Sequence, residues 1–226
     1  MVSDFFVSHE WGQSLDVAVK TLARCGADNY LWLGKDKPDN VVFWMSVFAQ
    51  NPHRANKEQG ARFGFQPWEM ALQKCSAGLA VLYDEEANPL ARAWCLYEVY
   101  RAHDLGQAVS IIAEDGIEGF EGQTLEGAGS TTSGASSAKG GWHRGGAVPA
   151  EELCDFLFRI SAFDAVAPTE KDTRELQRRM LNTCLPKRSA VNSATFEEMY
   201  SALNGDYFEL FNQRARAILA TPLFDS

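Results

Sequence analysis

Hydrophobic residues along this chain fall into short unbroken runs, separated by longer stretches in which apolar positions recur every three or four residues. The runs are Asp4-Phe5-Phe6-Val7-Ser8, Val41 to Phe48, Gly78 to Tyr83 and Ala108 to Ala113. Continuous apolar runs of this length, bounded by polar residues, predict strands buried on both faces. Between them, Gln13 to Cys25 carries Leu15, Val17, Ala18, Val19, Leu22 and Ala23 ahead of Gly26. Gln66 to Ser76 has Pro67 near a first helical turn, and Pro89 opens a stretch that runs to Leu105 and stops at Gly106. These three segments predict helices. Strand and helix alternate, so the pattern predicts βαβ units and a parallel sheet with helices on both faces.

The pattern breaks after Ala113. Ten of the 18 glycines lie between Gly116 and Gly146, around a Ser/Thr cluster, and such a stretch buries too little apolar surface to offset its ordering entropy. Residues 116–147 therefore read as a disordered insertion. Beyond it, Pro149 to Ile160 has helical spacing, Ala162 to Ala167 reads as a short fifth strand, and Thr169 to Leu181 and Thr195 to Leu219 read as two terminal helices. The expected layout is one α/β domain over 1–168, interrupted by the insertion, with a helical extension over 169–226 packed on it.

Composition narrows the function classes. The 226 residues are 46% hydrophobic and 23% charged, enough to bury a core. A net charge of -9 argues against a nucleic-acid backbone binder, which needs a basic stripe. Five cysteines, an odd number without a C-x-x-C pair, suit free thiols in a reducing compartment. No signal peptide and no membrane-spanning run is visible, so a cytoplasmic protein is expected, with no membrane partner. No metal-ligand spacing occurs, and neither phosphate-loop signature, G-x-x-x-x-G-K-[ST] or G-x-G-x-x-G, is present. That weakens ATPase and dehydrogenase readings.

Ligands of open parallel sheets bind outside the carboxyl ends of the strands. Here those ends read Ser8-His9-Glu10-Trp11, Phe48-Ala49-Gln50-Asn51-Pro52-His53 and Tyr83-Asp84-Glu85. In the following helix, Ala91, Cys95, Val99 and Ala102 form an apolar stripe, and Glu98 falls inside it. A carboxylate in a buried stripe is costly unless partnered, and burial raises its pKa, which makes Glu98 a candidate for acid/base or electrostatic work. The competing explanation is a surface pair with Arg101 at i+3.

Trp94-Cys95-Leu96-Tyr97-Glu98-Val99 resembles the W-C-x-x-E-L helix of Toll/interleukin-1 receptor (TIR) domains, and Phe5-Phe6-Val7-Ser8-His9 resembles the F-I-S-H first strand of that family. Together with Phe48-Ala49-Gln50-Asn51-Pro52-His53 and Pro89-Leu90-Ala91-Arg92-Ala93-Trp94-Cys95, these segments are similar to the divergent TIR-like domains of algae and other protists. The resemblance covers Val2 to Ala113 and implies a flavodoxin-like, five-stranded parallel sheet. It implies either of two functions. One is hydrolysis of the N-glycosidic bond of NAD to nicotinamide and ADP-ribose or a cyclic variant, with Glu98 as the essential carboxylate, NAD as substrate and no cofactor. The other is a non-catalytic signalling module that acts by self-association or protein–protein interaction. The chain departs from the family in carrying Ala91-Arg92-Ala93 before Trp94, where many members have a serine, and in lacking an R-D-x-x-P-G loop.

The expected substrate contacts are Ser8, His9, Trp11, Phe48 and Trp94. Trp11 and Trp94 offer stacking surfaces, whereas Trp44, mid-strand, reads as core. His9 is equally readable as a surface residue, His53 as the end of a turn, and Cys95 as packing. Asp84-Glu85-Glu86 is readable as a divalent-ion site, but reads better as a cap on the loop before Pro89. Ser8 and His9 are adjacent in an extended segment and point to opposite faces, which rules out their sharing a proton in a nucleophilic triad.

Overall fold

The structure is a computed structural model and describes residues 2–49, 67–83, 89–113, 154–155, 157–184, 196 and 208–224. Four strands, β1 (Phe5–Ser8), β2 (Phe43–Met45), β3 (Gly78–Leu82) and β4 (Val109–Ile112), form one sheet in the order β2-β1-β3-β4 with every pairing parallel. The helices are α1 (Leu15–Asn29), α2 (Ser46–Ala49), α3 (Pro67–Lys74), α4 (Ala93–Asp104), α5 (Glu170–Cys184) and α6 (Glu209–Phe224). The expected α/β class with a parallel sheet and helices on both faces is present.

Period-two alternation in β1 sorts the two faces. Phe5 and Val7 pack with α1 residues Cys25 and Ala18 and with Val41 and Met45. Phe6 turns the other way, stacks on its register partner Trp44 at 4.6 Å and meets Trp68, Leu72 and Leu96 of α3 and α4. Outside α4 lie α5 and α6, which contribute Leu176, Met180, Phe211 and Ala215 to the same core. Helix α4 is thus covered on two sides, and Ala93, Cys95, Leu96, Tyr97, Val99 and Ala102 are all buried. Ala91, expected in its stripe, is exposed, because Pro89–Ala91 forms a separate 3-10 turn ahead of the helix.

Two glycines are required by backbone shape. Gly106, at φ +70°, closes α4 with Gly106 N–H donating to the His103 carbonyl and Gln107 N–H to that of Ala102. Gly78 opens β3 at φ +103°, where a Cβ would collide with the Ala108 carbonyl oxygen. Gly26, read as a stop, is instead a buried helical residue: α1 runs three residues further to Asn29, with the Pro38 carbonyl close against Gly26.

Two sheet expectations are corrected. Val41–Phe48 is not one long strand, since β2 holds only Phe43–Met45 and Ser46–Ala49 is helical. Ala162–Ala167 does not form a fifth strand of the sheet among the described residues. Side chains of α5 and α6 take its backbone groups instead: Asn212 Oδ1 accepts from Ala162 N–H, Gln177 Nε2 donates to the Ala162 and Phe163 carbonyls, and Thr173 Oγ1 accepts from Ala167 N–H. What remains is a single parallel bridge between Val166 and Arg92. The Gly-rich segment 116–147, residues Gln50 to His53, Asp84-Glu85-Glu86 and parts of the helices expected over Pro149–Ile160 and Thr195–Leu219 lie outside the described residues, the latter being described as helix from Glu209 onward.

At its amino end β1 is tied down by Asp4, which is buried. Its carboxylate accepts from Val42 N–H at 2.8 Å and Ser76 Oγ at 3.0 Å and pairs with Lys35 Nζ at 3.1 Å.

Candidate functional site

Ser8 ends β1 two residues after Phe6, so alternation turns it toward the α4 side of the sheet. There its hydroxyl donates to Glu98 Oε2 at 2.6 Å, across 90 residues of sequence. Ser8 is buried and Glu98 half-buried. Among the described residues Ser8 is the one hydrogen-bond partner of Glu98. The surface pair with Arg101 does not form: Arg101 reaches outward to Glu69 of α3 and Asp104. Glu98 is therefore a carboxyl group held by one neutral hydroxyl at the carboxyl rim of a parallel sheet.

Burial pushes the Glu98 carboxyl up to about 7, against a smaller downward pull from the Ser8 hydrogen bond and from the positive charge of Arg92. Near neutral pH the group stands close to half ionised. His9 follows Ser8 and is also buried; burial lowers its pKa, a hydrogen bond to the Val7 backbone pulls it part of the way back up, and nearby Arg92 lowers it. Cys95, one turn before Glu98, donates its S–H to the His9 carbonyl at 3.4 Å and pins α4 to the end of β1. Burial, helped by the charge of Glu98, pushes that thiol up to about 12, so Cys95 is inert packing.

Arg92 immediately precedes α4. Its guanidinium lies 5.8 Å from the centroid of the Trp11 ring and 4.0 Å from Glu10 Oε1. Trp11 is 64% exposed, as expected of a rim aromatic. The structure thus brings Ser8, His9, Glu10, Trp11, Arg92 and Glu98 into one neighbourhood.

Two expected residues stand apart. Trp94 packs edge-on against Trp68 at 6.1 Å, in an aromatic cluster continuous with the core. Phe48 is 68% exposed on α2, and no ring contact joins it to the rim group. Trp44 is a core aromatic, as its mid-strand position predicted. Sequence reasoning passed over Arg92 as a departure from a motif. Its signal was a lone charge within the apolar run Pro89-Leu90-Ala91-Arg92-Ala93, beside a strand-end aromatic in space but 81 positions away in sequence.

No group of three or more His, Cys, Asp or Glu suited to a metal ion occurs among the described residues. No helix there is long and apolar enough to cross a membrane. No family model, curated protein or solved structure matches the chain.

Proposed function

We propose that this is a TIR-like domain of flavodoxin-like architecture that hydrolyses the N-glycosidic bond of NAD, with Glu98 as the essential carboxylate. The observation that carries the reading is the placement of Glu98: inside a buried helix, bonded to Ser8 at the carboxyl rim and unpaired with Arg101. A carboxylate with one oxygen held by Ser8 and the other without a hydrogen bond among the described residues suits a sugar whose hydroxyls need an acceptor. In the reaction the C1′–N bond breaks, and its electron pair leaves with nicotinamide, which departs neutral. The positive charge stays on the ribose as an oxocarbenium-like centre, which ionised Glu98 stabilises. Water then adds to C1′ and its proton passes to solvent, giving ADP-ribose. Nicotinamide is already cationic in NAD, so no strong general acid is needed, which agrees with the burial that lowers the pKa of His9 beside the site. Trp11 supplies the exposed aromatic surface for a planar base. Cytoplasmic localisation and self-association through this domain belong to the same reading.

The test is nicotinamide release from NAD by concentrated protein, wild type against Glu98→Gln. A fall of about 10²–10³-fold in the variant, without loss of fold, is expected. Undiminished release by Glu98→Gln sinks the assignment of Glu98. No release by folded, self-associated wild type sinks the glycohydrolase and leaves the non-catalytic signalling module.

A further inference from the structure

Arg92 is a cation largely withdrawn from water. Its side chain is 17% exposed, and among the described residues its guanidinium donates no hydrogen bond. Its carboxylate neighbour, Glu10, stands at 4.0 Å, the outer limit of an ion pair, and is itself 30% exposed. A guanidinium removed this far from water has lost hydration, and among the described residues no hydrogen-bond acceptor replaces it. Arginine's planar fork matches phosphate oxygens, two at a time, better than it matches a distant carboxylate.

The residue is also held in place. Ala93 N–H donates to the Val166 carbonyl at 2.9 Å, and Val166 N–H donates to the Ala91 carbonyl at 3.1 Å, so the backbone on both sides of Arg92 is clamped. The indole of Trp11 sits beneath the guanidinium and orients its plane. Positive charge at Arg92 is felt by both Glu98 and His9, which locates it in the same electrostatic neighbourhood as the proposed reaction centre.

We propose that Arg92, held over Trp11, binds the diphosphate of a dinucleotide whose ribose meets Glu98. This rests on the reading of Glu98 as the ribose-side carboxylate. In a dinucleotide the first group beyond that ribose is the 5′-phosphate. The diphosphate exchanges with Glu10, whose long, partly exposed contact is worth little and yields readily. The clamped backbone and the indole make Arg92 a preorganised anion site, so little ordering remains to be done when the substrate arrives.

Binding of ADP-ribose, followed by calorimetry, tests the subsite without turnover. It is measured with wild type, Arg92→Gln, Arg92→Lys, Glu98→Gln and the double variant Glu98→Gln/Arg92→Gln, each checked for an unchanged thermal unfolding transition. Arg92→Gln is expected to weaken binding about 10- to 100-fold, with Arg92→Lys between it and wild type. In the Glu98→Gln background the Arg92 effect persists. In turnover at about pH 8.5, above the range in which Glu98 titrates, the preference for NAD over nicotinamide riboside, which has no phosphate, falls by a similar factor in Arg92→Gln. Equal ADP-ribose affinity in wild type and Arg92→Gln overturns the proposal, as does wild type that binds no ADP-ribose or an unchanged substrate preference. Arg92-dependent binding of ADP-ribose by a wild type that releases no nicotinamide keeps the subsite and removes the glycohydrolase.

Discussion

Two carboxyl groups flank the same strand, and their surroundings are opposite. Asp4, at the amino end of β1, accepts from a backbone N–H and a serine hydroxyl and pairs with Lys35. Glu98, at the carboxyl end, has among the described residues one neutral hydroxyl from Ser8 and no ion pair, with Arg92 acting on it only as a nearby charge. Buried polar groups that are fully partnered hold elements together, and here Asp4 joins β1 to Val42 before β2, to Ser76 before β3 and to Lys35 after α1. A group left under-satisfied costs stability, and natural chains retain such costs mainly where function uses them. One rim of the sheet is built for strength, and the other carries the carboxylate on which the proposed function rests.

Breaking the strong rim has the largest expected effect. Asp4→Ala leaves Lys35, the Val42 N–H and the Ser76 hydroxyl without their shared acceptor, and should cost about 3 kcal/mol in urea unfolding. Turnover per folded molecule should not change. A loss below about 1 kcal/mol would show that Asp4 is not the tether described.

Breaking the other rim should do the reverse. Glu98 binds its proton more tightly in the folded chain, about 7 against an ordinary 4.5, so stability falls as pH rises between those values and the full cost stands above about 7. Glu98→Gln cannot ionise and escapes that cost. At 1.36 kcal/mol per unit the ceiling is about 3 kcal/mol, and partial exposure trims the expected gain to about 2 kcal/mol at about pH 8. Below about pH 4.5 the gain disappears. A variant no more stable than wild type at about pH 8 contradicts the burial argument.

The smallest change sharpens the contrast. If the proposed reaction is correct, wild-type kcat/KM for NAD should fall on an acid limb with its midpoint at about 7, since the proposal makes ionised Glu98 the active form. Ser8→Ala removes the hydroxyl that draws Glu98 downward, so the limb should move to higher pH while the alkaline plateau changes little by comparison. A limb that stays in place would mean that Ser8 does not tune Glu98.

Much of this was legible in the chain alone, for identifiable reasons. The apolar runs at Phe5–Ser8 and Gly78–Leu82 are buried on both faces, and burial of that kind leaves an unbroken hydrophobic record. Gly106 was readable as a stop because a left-handed helix end needs a residue without a side chain. Gly26 was misread because the same residue type also serves close packing, and only the approach of the Pro38 carbonyl distinguishes the two. Ala162–Ala167 looked like a strand because it is apolar, but its hydrogen bonds are taken by Asn212, Gln177 and Thr173, partners that sequence spacing does not reveal. Glu98 stood out as a charge inside an apolar stripe, whereas Arg92 was passed over because its meaning depends on Trp11.

What the amino-acid sequence by itself determined was the parallel α/β plan and the anomaly at Glu98, since both follow from periodicity and from the cost of burying charge. The choice between a surface pair and a rim carboxylate was made only by tertiary structure. Arg101 sits three residues from Glu98 yet turns to Glu69 and Asp104, while Ser8, 90 residues away, closes to 2.6 Å. Helix spacing lists which neighbours are within reach, but the packing of α4 between the sheet and the outer helices decides which of them a side chain meets.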